Sequence, residues 1–247
     1  MNRYFIKLAY NGAAYHGWQI QDNARTVQQE LNEKLSLMLN AEINLTGCGR
    51  TDTGVHAREF YAHFDVEQPL ELPGELAFRM NAFLPGDIVV YDVFEVPPDF
   101  HARFDARSRT YKYYISRQKD PFMAGQSYYY HAPLEVEKMK EACAFLFQYI
   151  DFTSFSKLHT QTKTNNCNIV EAYWEETDNM LVFTIRADRF LRNMVRAIVG
   201  TLLEVGKGKL EVIDMKRIIE AKDRSQAGFS VPAEGLFLEH IDYDFPG

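Results

Sequence analysis

Cysteine is scarce and odd in number here: Cys48, Cys143 and Cys167 are the only three, and no two stand in a Cys-x-x-Cys spacing. A disulfide framework and a zinc site are therefore both unsupported. Long apolar runs are missing as well. No segment approaches the ~20 apolar residues that span a bilayer, and the opening Met1-Asn-Arg-Tyr-Phe-Ile-Lys7 is too short and too alternating for a signal peptide. The expected setting is the cytoplasm, with no membrane partner. Positive charge is also short: 27 Lys and Arg against 34 Asp and Glu leave a net charge of −7, which speaks against a general nucleic-acid binder. No Gly-Lys-Ser/Thr follows any glycine-rich turn, so a phosphate loop is excluded.

What the chain does have is core material. At 247 residues and 46% apolar content it can bury one large core or two modest ones. Residues 3–9 alternate like a strand. Thr26 with Gln29 has the spacing of a capping box, and Val27, Leu31, Leu35, Met38 and Leu39 form a helical stripe. A second helix runs from Glu75 to Phe83 and stops before Pro85, and Ile88–Phe94 reads as a further strand. After Pro97-Pro98 the same kinds of element recur: strand 107–115, helix 136–147, strands 168–176 and 180–187, helix 190–205. Cys143 falls on an apolar helix face with Met139, Leu146 and Phe147, as a core residue. The order predicts an α+β fold of two lobes, 1–105 and 106–247, with helices layered on one side of a mainly antiparallel sheet.

The most informative stretch is Gly47-Cys-Gly-Arg-Thr-Asp-Thr-Gly-Val-His-Ala57. Ile43–Thr46 alternates before it, and Phe60, Ala62 and Phe64 alternate with Glu59, Tyr61, His63 and Asp65 after it, so Asp52 sits in a turn between strands. Gly47, Gly49 and Gly54 permit unusual backbone angles and close approach of a ligand. A polar hairpin loop would use the same residue types, so the stretch alone leaves both readings open.

Charge distribution adds to this. Arg103, Arg107, Arg109, Lys112, Arg117 and Lys119 crowd one stretch, and Arg186, Arg189, Arg192, Arg196, Lys207 and Lys209 another. A basic cleft on an acidic body would hold phosphates; solvated faces would look alike. In Arg107–Tyr113 the odd positions would set Arg107, Arg109, Tyr111 and Tyr113 on one face, alternating cation and aromatic ring, as a splayed base and its phosphates require. Arg196 sits on the apolar side of a helix that is hydrophobic nearly all round, where a guanidinium needs a partner.

Gly49-Arg-Thr-Asp-Thr-Gly-Val-His-Ala57 resembles the signature of the tRNA pseudouridine synthase A family, whose aspartate in this turn is catalytic. Four further blocks resemble the same family in order: Tyr10–Gln21, Phe100–Ala106 with Arg109–Tyr113, Phe190–Gly200 and Ala227–Leu236. The resemblance implies the pseudouridine synthase fold, two lobes sharing a sheet around an active cleft. It implies isomerisation of uridine to pseudouridine at positions 38, 39 and 40 of the tRNA anticodon stem-loop, by a homodimer and without a cofactor. Residue by residue, it gives Asp52 as the catalytic carboxylate, Arg196 as its ion-pair partner and Tyr111, ahead of Tyr113, as the ring over the uracil. Arg50, His56, Arg109 and Arg192 are expected to touch ribose, base or phosphate, although Arg50 and His56 could simply fix the turn. Phe104 and Phe190 would shut out water. Asp52 acts either as nucleophile at C1′ or as base at the 2′ position; both remain open. One segment departs from the family: Lys163–Asn168 carries Asn166 and Cys167 where relatives commonly have a basic residue, which bears on how tRNA docks. Two rival classes remain. A glycosidic hydrolase would need a second carboxylate that no motif supplies, and a non-catalytic RNA-binding module would gain nothing from an acid facing phosphates.

Overall fold

A computed structural model describes residues 1–157 and 164–245. Along the chain the elements are β1 (Asn2–Tyr10), α1 (Val27–Leu39), β2 (Thr46–Gly47), β3 (His56–Val66), α2 (Pro73–Asn81), β4 (Ile88–Val96), β5 (Ala106–Ser116), β6 (Tyr128–Tyr129), α3 (Val136–Cys143), β7 (Ile169–Glu176), β8 (Met180–Ala187), α4 (Met194–Gly206), α5 (Asp214–Ala221) and β9 (Leu236–Tyr243). They form two compact α+β units. One comprises Met1–Arg107 with the chain from Leu238 onward, the other Ser108–Phe237. The compact units meet at 107/108, where 105/106 was expected, and the described residues from Leu238 to Phe245 fall in the first unit.

In the first unit β1 pairs antiparallel with both β3 and β4, Phe5 standing opposite His63 and Phe94, and β2 and β9 flank β3. Thr26 caps α1, its Oγ1 accepting the Gln29 N–H at 3.3 Å, while Gln29 Nε2 turns outward to Glu33. Alternation at 59–65 predicts a strand with one wet face, yet Phe60 through Phe64 are all buried. The second face is covered by rings from distant segments: Phe5 lies 5.3 Å from Phe100 and 5.8 Å from Tyr243, and Phe94 lies 5.3 Å from Phe245. Tyr243 Oη also donates to the Ala102 carbonyl. These aromatic contacts, each about 1 kcal/mol beyond area burial, hold the C-terminal segment on the first unit.

In the second unit β8 pairs antiparallel with β5 and β7, and β6 adds a short parallel bridge to β5. Helix α4 buries every residue but Arg196 and Glu204. Its end lies so close to α3 that a Cβ on Gly206 would meet Met139 Sδ at 2.4 Å. The helix expected from 190 begins at Met194, after Asn193 takes the left-handed region (φ 67°). That expected over 136–147 gives way to a tighter 3-10 turn at 144–148, which leaves Phe147 exposed while Met139, Cys143 and Leu146 are buried. All three cysteines are buried and outside any disulfide, and burial pushes the Cys143 and Cys167 thiols up to about 12. Among the described residues no helix is long and apolar enough to cross a membrane.

Candidate active site

Asp52 is half-buried in the turn between β2 and β3. The turn owes its shape to the segment just after β1. Gly12 N–H donates to His56 Nδ1 at 3.1 Å, Trp18 N–H to the Thr51 carbonyl at 3.3 Å, and Gly54 N–H to the Tyr15 carbonyl at 3.3 Å. Within the turn, Val55 N–H reaches the Asp52 carbonyl at 3.1 Å, and Gly54 takes φ +77°, a conformation that a side chain would strain. Gly47 is required for another reason, since a Cβ there would meet the buried Trp18 ring at 2.6 Å. Gly49 has neither constraint: nothing lies within 4 Å of the position a Cβ would take, and its φ is not in the left-handed region.

The two residues expected to flank Asp52 as ligand contacts differ sharply. Arg50 is exposed, with Nε donating to Gln19 Oε1 at 3.2 Å. His56 is only 1% exposed and its Nδ1 accepts the Gly12 N–H, so it helps to fix the turn. Spacing within the motif could not reveal this, because the partner lies 44 residues away.

In the second unit, β5 carries Arg109 and Tyr111, both half-buried. The Tyr111 ring stands edge-on to Phe190, centroids 5.1 Å apart, and Arg109 Nη1 holds the Asp188 carbonyl at 2.8 Å. The uniform cation-and-ring face expected for Arg107–Tyr113 does not form. Tyr113 is fully buried with Oη donating to the Pro232 carbonyl at 2.9 Å, and Arg107 pairs with Asp244. Burial raises the Tyr113 phenol far above the usual tyrosine range. Phe104, expected among residues that exclude water, is 74% exposed in the first unit.

Arg196 is half-buried on α4, and Nε donates to the Val231 carbonyl at 2.7 Å while Val231 N–H returns to the Arg196 carbonyl at 3.2 Å. Asn193 and Arg224 both reach Ser230 Oγ. The blocks Phe190–Gly200 and Ala227–Leu236 are therefore one packed assembly. Arg192 is exposed at its start.

The basic stretches do not remain open as blocks. Arg186 pairs with Glu171 at 2.5 Å, Lys207 and Lys209 with Glu204 at 2.9 and 3.1 Å, and Arg117 ties the Tyr130 and Ala132 carbonyls. The two lysines draw the Glu204 carboxyl below its ordinary range despite its burial. In the departing segment Asn166 is exposed and Cys167 buried, while Lys163 lies outside the described residues.

A turn that presents one carboxylate from a rigid backbone suits covalent or general-base chemistry at a single carbon. Known proteins resemble this chain in sequence over nearly its whole length. The profile of the tRNA pseudouridine synthase family matches residues 7–105 and 150–244, which takes in the Asp52 turn and the α4 assembly. A Parabacteroides distasonis protein named tRNA pseudouridine synthase A is 55% identical over 246 residues, 98% of this chain and 96% of its own. One of the same name from Bacteroides thetaiotaomicron is 55% identical, covering 98% and 91%, and one from Clostridium acetobutylicum 40% identical, covering 96% and 98%. With the match running from β1 to β9, this chain belongs to the tRNA pseudouridine synthase family.

Proposed function

We propose that this protein isomerises uridine to pseudouridine at neighbouring positions of the tRNA anticodon stem-loop, in the cytoplasm and as a homodimer. The observation that carries the reading is the half-buried Asp52, alone in its turn as a carboxylate and flanked by buried Thr51 and His56, inside a family match over residues 7–105 and 150–244. Asp52 attacks C1′ or takes the 2′ proton, Tyr111 lies over the uracil, and Arg196 pairs with the carboxylate and aims it. Arg50, Arg109 and Arg192 meet ribose and phosphate.

The reaction breaks N1–C1′, rotates the uracil while it is held, joins C5 to C1′ and gives the C5 proton to water. No electron or group donor enters the balance. The test is tRNA tritiated at uridine C5. Label passes to water while the RNA stays intact, and Asp52→Asn abolishes release. Free labelled uracil would make the protein a hydrolase, and label retained at saturating protein would make it a binding module. Light scattering at working concentration tests the homodimer.

A further inference from the structure

The segment Tyr10–Trp18 brackets the Asp52 turn from one side, and its contacts go beyond what holding β2 to β3 requires. Gly17 lies directly beneath the reacting residue: a Cβ there would sit 2.3 Å from the Thr51 carbonyl oxygen and 3.1 Å from the Asp52 carbonyl carbon. Gly12 comes as close on the far side, where a Cβ would meet the Val55 carbonyl oxygen at 2.0 Å. Backbone is thus pressed on backbone at both ends of Thr51–Val55. Between these two points the Tyr10 and Thr51 hydroxyls share a hydrogen bond of 2.9 Å, both residues buried, Tyr10 at 4% and Thr51 at 8% exposed. The Tyr10 ring is itself wedged against Trp18 and Phe60, centroids 6.3 and 5.6 Å away. The Tyr10 oxygen is therefore fixed by the core of the first unit, and it is bonded to the residue immediately before Asp52.

We propose that Tyr10 and Thr51 are positioning residues for catalysis: their buried hydroxyl pair, with Gly12 and Gly17 beneath, sets the direction in which the Asp52 carboxylate leaves the turn. This rests on the reading of Asp52 as the reacting carboxylate. The physical reason is that reaction at one carbon tolerates little misplacement, an ångström being worth up to about a hundredfold in rate. A buried hydroxyl pair resists such drift, because their hydrogen bond must break before Thr51 can shift.

The experiment measures kcat and KM for tRNA together with the melting temperature. The variants are Tyr10→Phe, which keeps the wedged ring, Thr51→Val, which keeps the shape, the double variant, Thr51→Ser, which keeps the oxygen, and Asp52→Asn. Tyr10→Phe and Thr51→Val each lose about 10- to 100-fold in kcat with KM within about threefold, while melting falls by only a few degrees, as the loss of one buried hydrogen bond requires. The double variant loses no more than the worse single, since both remove one bond. Thr51→Ser returns kcat to within about threefold of the parent. Single variants within twofold of the parental kcat, with Asp52→Asn inactive, overturn the positioning role and leave the reading of Asp52 intact. So does a kcat loss that Thr51→Ser shares, or one matched by a collapse in melting. Turnover by Asp52→Asn would overturn the Asp52 reading, and the positioning role with it.

Discussion

A Cβ on Gly200 would stand 1.7 Å from the carbonyl oxygen of Phe229, so helix α4 and the closing segment meet backbone to backbone. Gly228 mirrors the contact, its would-be Cβ 2.8 Å from the Gly200 carbonyl carbon and from Thr201 Cα, and its N–H donates to Thr201 Oγ1 at 2.8 Å. Gly200→Ala should therefore cost about 3 kcal/mol or more, above the usual range for overpacking, because main chain cannot rotate out of the way. Chemical denaturation checks this. A loss under about 0.5 kcal/mol would mean the two segments separate freely.

Arg196 is held by the same segment. Arg196→Lys keeps the charge but loses the Nε bond to the Val231 carbonyl, and should destabilise by about 1 kcal/mol while turnover falls. Arg196→Ala should be worse on both counts. Parental melting and turnover for Arg196→Ala would remove the residue from the machinery.

Asp52→Asn should bind tRNA and melt like the parent, yet lose ~10³-fold or more in turnover. Single-turnover tritium release measures it. A loss under tenfold, about 1.4 kcal/mol of barrier, would exclude Asp52 as the reacting group.

Affinity for tRNA should fall with salt despite the acidic net charge, because local arginines release counterions. The slope should rest in part on Arg109 and Arg192, the arginines expected at ribose and phosphate. Each Gln substitution there should reduce the slope of log K against log salt by about 0.7–0.9. Unchanged slopes would assign those two arginines to the solvated surface.

Stability should decline in mild acid through His63. Burial above all, with Arg3 and His101 nearby, lowers its pKa to about 4, and its Nδ1 accepts the Ala102 N–H at 3.1 Å. The unfolded chain binds this proton near pH 6.5 and the folded chain only near 4, so stability is lost as pH falls across that window. The loss is on the order of 2 kcal/mol, and His101, lowered in the same direction, adds to it. Urea titrations at pH 7 and 5 should show this difference, and it should shrink in His63→Gln. An undiminished difference would place the titrating group elsewhere.

Much was legible along the chain because the signals are local. Period-two and period-3.6 patterning marked β1, β3, β4, β5, β7 and β8 and the helices α1 to α4, with errors of a few residues at their ends. Helix α5 and strand β9 escaped notice. Leu236–Tyr243 is a short mixed run whose burial depends on rings and strands from residues 5 to 102, which no local window contains.

The sequence by itself determined the α+β class, the family and the turn that carries Asp52, since residue type and spacing suffice for these. Tertiary structure alone decided which neighbours of that turn face solvent. It placed Arg50 outward and His56 inward against Gly12, sank Tyr113 beneath Pro232, paired Arg107, Arg186, Lys207 and Lys209 with acids, and set Tyr10 and Gly17 behind Asp52. Such partners stand far apart in sequence, His56 and Gly12 by 44 positions and Tyr113 and Pro232 by 119, and only the folded chain brings them together.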